Sequence, residues 1–356
     1  MERQRVSIFR QKNSWGLTAL SIGLCVALSP VLGLSLFLPQ TMTLMPVLLL
    51  LLLGYVGPVS AAACSAVFIA LAGMLFGGWG ALCAALLLVP VVLVSAFALD
   101  REHPFWVSAA AGCTAMFVAM SAVIMLLSAL AGNDVVTAIS ELTRRMFESS
   151  GAIGDAILSG LVQMGIVGVP ESMIGADGQL VLDAAARAEM VSALVLTMDT
   201  VLRLELPMQM ATGSVAAGLL GQAVLRKGML RRGEKVEYPP LRTWRVPKGW
   251  GRVLGGTLAA LFVLAQLAPS QVSSMFYVFS GVFDQVFALQ GIAAVCYMLH
   301  KRGKSRTVQG VVFALGYFVL SPAALMVGIA DQGFDFTHRR EELAKQENPF
   351  DPRANA

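Results

Sequence analysis

Asp284 is the residue of this sequence that most directly suggests chemistry, because its carboxyl group interrupts a long apolar segment. The uncharged stretch 253–283 precedes it, and a second uncharged stretch, 285–300, follows. A carboxylate in such surroundings is costly unless it faces a polar cavity, pairs with another group or is protonated. Gln285 and Gln290 add amide groups at a similar depth. We therefore predict a candidate polar site at Asp284, Gln285 and Gln290. The alternative is a hydrogen bond that only holds helices together.

A second candidate is the pair Asp199 and Arg203, which lie four residues apart and so share one face of a helix. Together with Glu205 they place three charges in the segment 190–206. Three charges in one membrane span would be costly. We interpret the segment as an amphipathic helix at the outer membrane surface, with Asp199 and Arg203 as an outer lid. The alternative is a true span with a buried Asp199–Arg203 pair.

A third feature is a strongly basic loop. Residues 226–252 carry nine Lys and Arg residues but only two acids. Such a cluster beside a membrane helix can bind anionic lipid headgroups or an acidic partner. The alternative is a signal that only sets orientation. The candidate residues are Arg226, Lys227, Arg231, Arg232, Arg242 and Arg245.

Motifs of enzymes and metal sites do not occur in the sequence. It has no H-E-x-x-H, G-x-S-x-G, G-x-x-x-x-G-K-[ST] or G-x-G-x-x-G pattern. The five cysteines and three histidines are scattered, with no C-x-x-C pair. We expect no catalytic residues, no metal site, no cofactor and no ATPase activity of the chain's own.

The elements that must position these residues are membrane helices. The chain of 356 residues is 56% apolar and 13% charged, whereas soluble proteins carry roughly 25% charged residues. No charged side chain occurs between Lys12 and Asp100, a stretch long enough for roughly four spans of about 20 residues. This composition excludes a soluble enzyme and a nucleic-acid-binding domain. It predicts an all-α, polytopic transmembrane bundle in contact with the lipid bilayer.

The uncharged stretches predict about eight or nine membrane helices, at 15–38, 42–57, 60–77, 79–99, 105–131, 207–225, 251–269, 274–299 and 307–330. The second and third are short, and 42–77 is either two spans or a re-entrant pair. Pro207 is expected to start a helix, where its missing N–H costs nothing. The predicted organisation is an N-terminal bundle of five helices (1–131), an outside region with amphipathic helices (132–206), one helix (207–225), a basic loop (226–250), three helices (251–330) and a polar tail (331–356).

Charge placement predicts the orientation. The segments 1–12, 226–252 and 301–306 hold 17 of the 26 Lys and Arg residues, whereas 132–187 has seven acids and three arginines. Basic segments stay on the cytoplasmic side. We therefore expect a multi-pass protein of a bacterial inner membrane, with a cytoplasmic N-terminus and region 132–206 outside. The side of the tail stays open.

Three segments in this order resemble the YybS-like family of bacterial membrane proteins. They are Pro240-Leu241-Arg242-Thr243-Trp244-Arg245-Val246-Pro247, Gln290-Gly291-Ile292-Ala293, and Gly328-Ile329-Ala330-Asp331 followed by Phe334-Asp335-Phe336. In the family an Arg usually follows the last stretch directly, whereas here Thr337 and His338 precede Arg339.

That family is in turn similar to the substrate-binding S components of energy-coupling-factor transporters. The resemblance implies an S-component-like bundle that binds a small metabolite and docks on a transmembrane coupling subunit driven by ATPases. Our leading hypothesis is therefore a small-solute binding or transport component. The alternative is a non-catalytic membrane scaffold or envelope-assembly partner.

Overall fold

The computed structural model describes residues 16, 18–23, 44–163, 184–246 and 248–335. Helices make up 89% of these residues, and no strand occurs among them. An all-α polytopic fold is thereby confirmed. The helices are α1 (Leu44–Tyr55), α2 (Pro58–Asp100), α3 (Phe105–Ala131), α4 (Val135–Ser149), α5 (Gly151–Gln163), α6 (Ala184–Arg231), α7 (Lys248–Leu267), α8 (Pro269–Lys301), α9 (Arg306–Phe318) and α10 (Ser321–Phe334), with a 3₁₀ turn at Leu241–Thr243.

The chain divides into two compact units. The larger one comprises Met1–Met120 and Met208–Ala356, and the smaller one comprises Ser121–Pro207. The candidate residues of α8 and of the basic loop all belong to the larger unit. Asp199 and Arg203 belong to the smaller unit.

α2 folds back on itself at Gly77. This residue has φ +71° and ψ −170°, a conformation that is open to glycine and strained for other residues. A Cβ on Gly73 would lie 3.2 Å from the Cβ of Ala81, and Ala61 shares a hydrophobic cluster with Ala96. The two arms of α2 are therefore antiparallel. The predicted break between helices 60–77 and 79–99 is confirmed at this glycine.

The second half of α6 lies at the centre of the larger unit. A Cβ on Gly218 would lie 2.5 Å from the backbone nitrogen of Cys113 in α3, and one on Gly228 would lie 2.6 Å from the carbonyl carbon of Gly54 in α1. Glycine at these positions allows the neighbouring backbones to approach closely. Leu225 and Met229 of α6 are buried in a cluster with Leu50 of α1.

In the C-terminal part of the larger unit, α8 packs against α7, α9, α10 and the 3₁₀ turn. The carboxyl half of α8 is buried almost continuously from Phe287 to Ala294. By contrast, no residue in the most apolar 18-residue stretch of α7 is buried by the described protein. An apolar helix with this exposure is typical of a surface in contact with lipid.

In the smaller unit, α4, α5 and the first half of α6 form a core of their own. Leu158 of α5 packs with Met190, Val191, Leu194 and Val195 of α6, and Phe147 of α4 lies against this cluster. The helix 190–206 predicted from its charges is present, but it continues without a break through Pro207. The prediction that a helix begins at Pro207 is wrong, because α6 runs from Ala184 to Arg231 with this proline inside it.

The predicted helix 307–330 is also corrected. It is divided into α9 and α10, which are bent by 106° at a short break. Pro322 lies in the first turn of α10, where its missing N–H costs no helical hydrogen bond, whereas inside one continuous helix the same proline would remove a hydrogen bond and clash with the preceding turn. The predicted helix 15–38 and the tail 331–356 lie mostly outside the described residues.

Four helices of the described residues are long and apolar enough to cross a membrane, namely Pro58–Asp100, Phe105–Ala131, Gly249–Leu267 and Val272–Lys301. The bent pair α9 and α10 would make a fifth. The predicted number was eight or nine. The predicted number is larger partly because it counted the two arms of α2 as two spans. In addition, α1 is shorter than the helices counted here, and the second half of α6 is not among them.

Candidate functional site

Asp284 lies near the middle of α8, the helix that runs from Pro269 to Lys301. Pro269 starts this helix in a position where a proline costs no hydrogen bond. At a rise of about 1.5 Å per residue, Asp284 is roughly 20–25 Å along the axis from either end of the helix. In a membrane-spanning α8 this depth corresponds to the interior of the bilayer.

The carboxyl group of Asp284 is partly buried and has a hydrogen bond with Ser280, one turn earlier on the same helix. Among the described residues, no basic side chain forms a salt bridge with it. One turn away, Gly281 packs against the carbonyl oxygen of Met208, and Thr212 donates a hydrogen bond to the carbonyl of Gly281 at 3.4 Å. Asp284 therefore lies beside the α6–α8 contact without an ionic partner in the described part of the chain.

Gln285 and Gln290 differ from Asp284 because each forms a hydrogen bond with another segment of the chain. Gln285 donates a hydrogen bond to the hydroxyl oxygen of Tyr317 in α9 at 3.0 Å. The side-chain oxygen of Gln290 accepts a hydrogen bond from the backbone N–H of Val246 at 2.9 Å, which ties α8 to the basic loop. Both side chains are buried, so each amide joins α8 to a neighbouring segment.

The amide nitrogen of Gln290 faces α10. It lies 3.0 Å from the side-chain oxygen of Gln332, 3.3 Å from the carbonyl oxygen of Gly328 and 3.5 Å from a carboxylate oxygen of Asp331. Gln290 is 2% exposed and Asp331 is 1% exposed. We call Gln290, Val246, Gly328, Asp331 and Gln332 the Gln290 hub. The buried amide of Gln290 thus has polar partners on both sides, as most buried polar groups do.

Two glycines make this contact between α8 and α10 close. A Cβ on Gly291 would collide with the carbonyl oxygen of Ala324, and a Cβ on Gly328 would collide with the carbonyl oxygen of Phe287. The backbones of the two helices thus touch at Gly291 and Gly328. Val246, Gln290 and Gly328, which are far apart in the chain, therefore meet at this contact.

Arg226, which the sequence analysis placed at the start of the basic loop, lies in the last turns of α6 and is buried. The residue is 1% exposed, and its side chain donates hydrogen bonds to the carbonyl of His103 (2.6 Å), the hydroxyl of Ser108 (2.8 Å) and the carbonyl of Glu237 (3.0 Å). A carboxylate oxygen of Glu237 lies 4.0 Å from the guanidinium and accepts a hydrogen bond from the N–H of Phe105. Arg226 therefore links α6 and the loop that follows it to the start of α3.

The rest of the basic loop is partly built into the fold. Trp244 is buried against Phe105 and Trp106, and its indole N–H donates to the carbonyl of Pro239 at 3.0 Å. Lys227 and Arg231 are exposed, with the guanidinium of Arg231 5.5 Å from the ring centre of Tyr55. Arg232, Arg242 and Arg245 are partly buried. Of the six basic candidates, Lys227 and Arg231 are thus the exposed ones.

In the smaller unit, Asp199 and Arg203 form the ion pair that their spacing indicates, with 2.8 Å between the guanidinium and the carboxylate. The same guanidinium bonds Asp134 at 2.7 Å and Thr137 at 3.0 Å, at the start of α4. The hydrogen bond that Arg203 donates to Asp199 raises the pKa of Arg203. The side chain of Arg203 remains half exposed. The pair thus holds the start of α4, and this first half of α6 is not among the candidate membrane spans.

Sequence reasoning missed the partners of these residues, namely Asp331, Gln332, Tyr317, Glu237, Asp134 and Thr137. Asp331 belongs to the segment Gly328-Ile329-Ala330-Asp331. Its single charge beside an apolar stretch could have identified it as a candidate partner. The others have no such signal, because each is distant in the sequence from the residue that it contacts. No group of three or more Cys, His, Asp or Glu residues that could hold a metal ion occurs in the described part of the chain.

A family model described as "Predicted membrane protein (DUF2232)" matches residues 17–332 of the chain. No curated protein and no solved structure matches it. The matched range includes Asp284, the Gln290 hub and Arg226. Together with the candidate membrane spans, this match supports a location in a membrane.

Proposed function

The chain belongs to the DUF2232 family of predicted membrane proteins, and from that premise we propose that it is a small-solute binding component of a membrane transport system. Asp284 is the polar centre of its site. The protein has no ATPase of its own and works with a transmembrane coupling subunit and ATPases in a bacterial inner membrane, with its N-terminus in the cytoplasm. The resemblance to YybS-like proteins and to S components supports this proposal.

The observation that carries the proposal is the contrast between Asp284 and the other polar side chains of α8. Gln285 and Gln290 are engaged by neighbouring segments, whereas the described partner of Asp284 is Ser280 on its own helix. An ionisable group inside a membrane span is by default a functional candidate. Asp284 can accept hydrogen bonds from a polar or cationic solute when ionised, and it can donate one when protonated.

A contact face for a coupling subunit is available on α2. Ala62, Ala66 and Ala70 recur every four residues and are exposed along the first arm of this helix. Small residues at this spacing allow another helix to approach closely.

The second candidate function is a membrane scaffold that organises envelope proteins. The specific observation in its favour is the Gln290 hub with its Gly291–Gly328 contact, which joins α8, α10 and the basic loop through buried polar groups. A scaffold needs such a fixed arrangement and needs no solute.

The first experiment uses dicyclohexylcarbodiimide, a lipid-soluble reagent that modifies protonated carboxyl groups. In native membranes we expect modification of Asp284, detected by mass spectrometry of its peptide, and none in Asp284→Asn. Asp331 is the internal control, because it is 1% exposed inside the Gln290 hub. A panel of small cationic, zwitterionic and neutral solutes is then tested for protection of Asp284. Absence of modification at Asp284 would contradict a solute-accessible carboxyl group.

The second experiment separates transport from scaffolding. The tagged protein is crosslinked gently in native membranes, purified and analysed by mass spectrometry. We expect a coupling subunit and ATPases in near-equal amounts with the protein. Recovery of envelope-assembly proteins without any ATPase, together with full activity of Asp284→Asn in cells, would reject the transport role and favour the scaffold.

A further inference from the structure

The helix α4 has three separate faces. Val136 and Ser140 are buried in the smaller unit. A second face exposes apolar side chains at helical spacing, with Ile139 39%, Leu142 59% and Met146 61% exposed. The third face is charged and consists of Glu141, Arg144, Arg145 and Glu148. We call the second face the apolar edge of α4 (Ile139, Leu142 and Met146).

The position of α4 in the chain brings this edge to a membrane boundary. α3 is a candidate membrane span that ends at Ala131, and α4 begins directly after a short turn, at Val135. The last turns of α3 expose Met125, Leu127 and Leu130, as expected of a lipid-facing segment. The turn 132–134 is too short to carry α4 far from the end of α3. The apolar edge therefore continues from a lipid-facing surface.

Two arginines of α6 fix both ends of α4. Arg203 bonds Asp134 and Thr137 at its start. Arg187 donates to the carbonyl of Phe147 (2.7 Å) near its end and pairs with Asp155 of α5 (2.7 Å). The stretch of α6 between the two arginines corresponds to about 24 Å of helix, close to the length of α4. α4 is thus held along α6 with its apolar edge left uncovered by the described protein.

From this arrangement we propose that α4 is an interfacial membrane anchor whose partner is the phospholipid bilayer. The helix lies in the plane of the interface, with Ile139, Leu142 and Met146 in the acyl chains and the charged face toward the headgroups and water. Helices of this kind bury their apolar face about 5–10 Å into the headgroup–acyl boundary. Arg144 and Arg145 lie at a height where they can contact lipid phosphates, with their charge partly balanced by Glu141.

The lipid bilayer is a better partner for the apolar edge than another protein, because the edge is continuous with a lipid-facing surface. The edge is a narrow row of three side chains that directly follows the lipid-facing end of a span, so the bilayer reaches it without any assembly step. α5 exposes Ile153 and Ile157 one turn apart in the same unit, which adds further apolar surface for the same partner. The inference does not depend on whether Asp284 binds a solute.

The test uses the full-length protein in phosphatidylcholine–phosphatidylglycerol liposomes, with one cysteine introduced at a time and labelled by an NBD fluorophore. The apolar-edge variants are Leu142→Cys and Met146→Cys, and the matched controls on the charged face of α4 are Glu141→Cys and Glu148→Cys. All four side chains are exposed, so these changes remove no core contact. The labelled parent chain gives the background from its native cysteines.

We expect labels on the apolar edge to emit at shorter wavelength and to be quenched several-fold more by acyl-chain doxyl lipids than by aqueous iodide. Labels on the charged face should show the reverse. Quenching of both faces by iodide alone would overturn the proposal, since the edge would then lie in water. Short-wavelength emission without lipid quenching would also overturn it, because another protein surface would then cover the edge.

Discussion

Arg226 shows how a charged side chain at the end of a membrane-associated helix is held by the fold. Its three hydrogen bonds reach the segment before α3, α3 itself and the loop after α6. A guanidinium suits this position because it has five donors in a fixed plane and stays charged. The same basic residue that sequence analysis assigned to a lipid or partner surface is therefore a link inside the larger unit.

We expect Arg226→Ala to destabilise the protein by about 1–3 kcal/mol, because it leaves buried partners without their hydrogen bonds. The measurement is thermal unfolding of the detergent-solubilised protein, followed by fluorescence-detected size-exclusion chromatography. Lys227→Ala is the matched control: its exposed side chain is the next residue of the same helix, and its change should be within about 0.5 kcal/mol. Equal loss in both variants would contradict the assigned role of Arg226.

At the scale of elements, proline and glycine decided where the apolar runs break. Gly77 turns α2 back on itself, and Pro322 accompanies the bend between α9 and α10. Pro207 does not end α6, although its missing N–H removes one helical hydrogen bond. Residues of α6 are buried before the proline, at Leu194 and Val195, and after it, at Met210 and Ala211, and this burial favours an unbroken helix.

The α8–α10 contact gives the prediction for this scale. In Gly328→Ala the new methyl group would meet the carbonyl oxygen of Phe287, a backbone atom that cannot move aside cheaply. We expect a loss of about 1–3 kcal/mol, typical of overpacking. The measurement is the thermal unfolding assay described for Arg226.

The control for Gly328 is Gly333→Ala in the same helix. Nothing lies within 4 Å of a Cβ at Gly333, so alanine should leave stability unchanged or raise it by up to about 1 kcal/mol through helix propensity. If Gly328→Ala behaved like this control, the close approach of α8 and α10 would not exist in the membrane.

At the scale of the whole molecule, the orientation in the membrane is the main expectation. The exposed turn at Asn133 should lie outside, and the exposed Lys304, in the loop between α8 and α9, should lie in the cytoplasm. We expect a membrane-impermeant maleimide to label Asn133→Cys in intact cells and Lys304→Cys only after permeabilisation. The parent chain controls for its native cysteines. The opposite pattern would show that the basic segments do not set the orientation.

Hydropathy and charge alone determined that the protein is all-α and membrane-embedded and that α2 breaks near residue 78. The spacing of Asp199 and Arg203 placed both residues on one face of a helix. These properties depend on composition and on contacts within a few residues, which a single sequence displays directly. The positions of Asp284, Gln285 and Gln290 on one apolar helix were likewise evident from the charge pattern.

Only the tertiary structure separated the roles of those three residues. Gln285 and Gln290 are occupied by Tyr317, Val246 and Gln332, which are distant from them in the chain, whereas Asp284 has a described bond only with Ser280. The tertiary structure also showed that Arg226 is buried and that Arg203 pairs with Asp134. The physical reason is that a polar side chain is free or engaged according to which helices pack against it, and hydrophobic burial sets that packing without leaving a local pattern in the sequence.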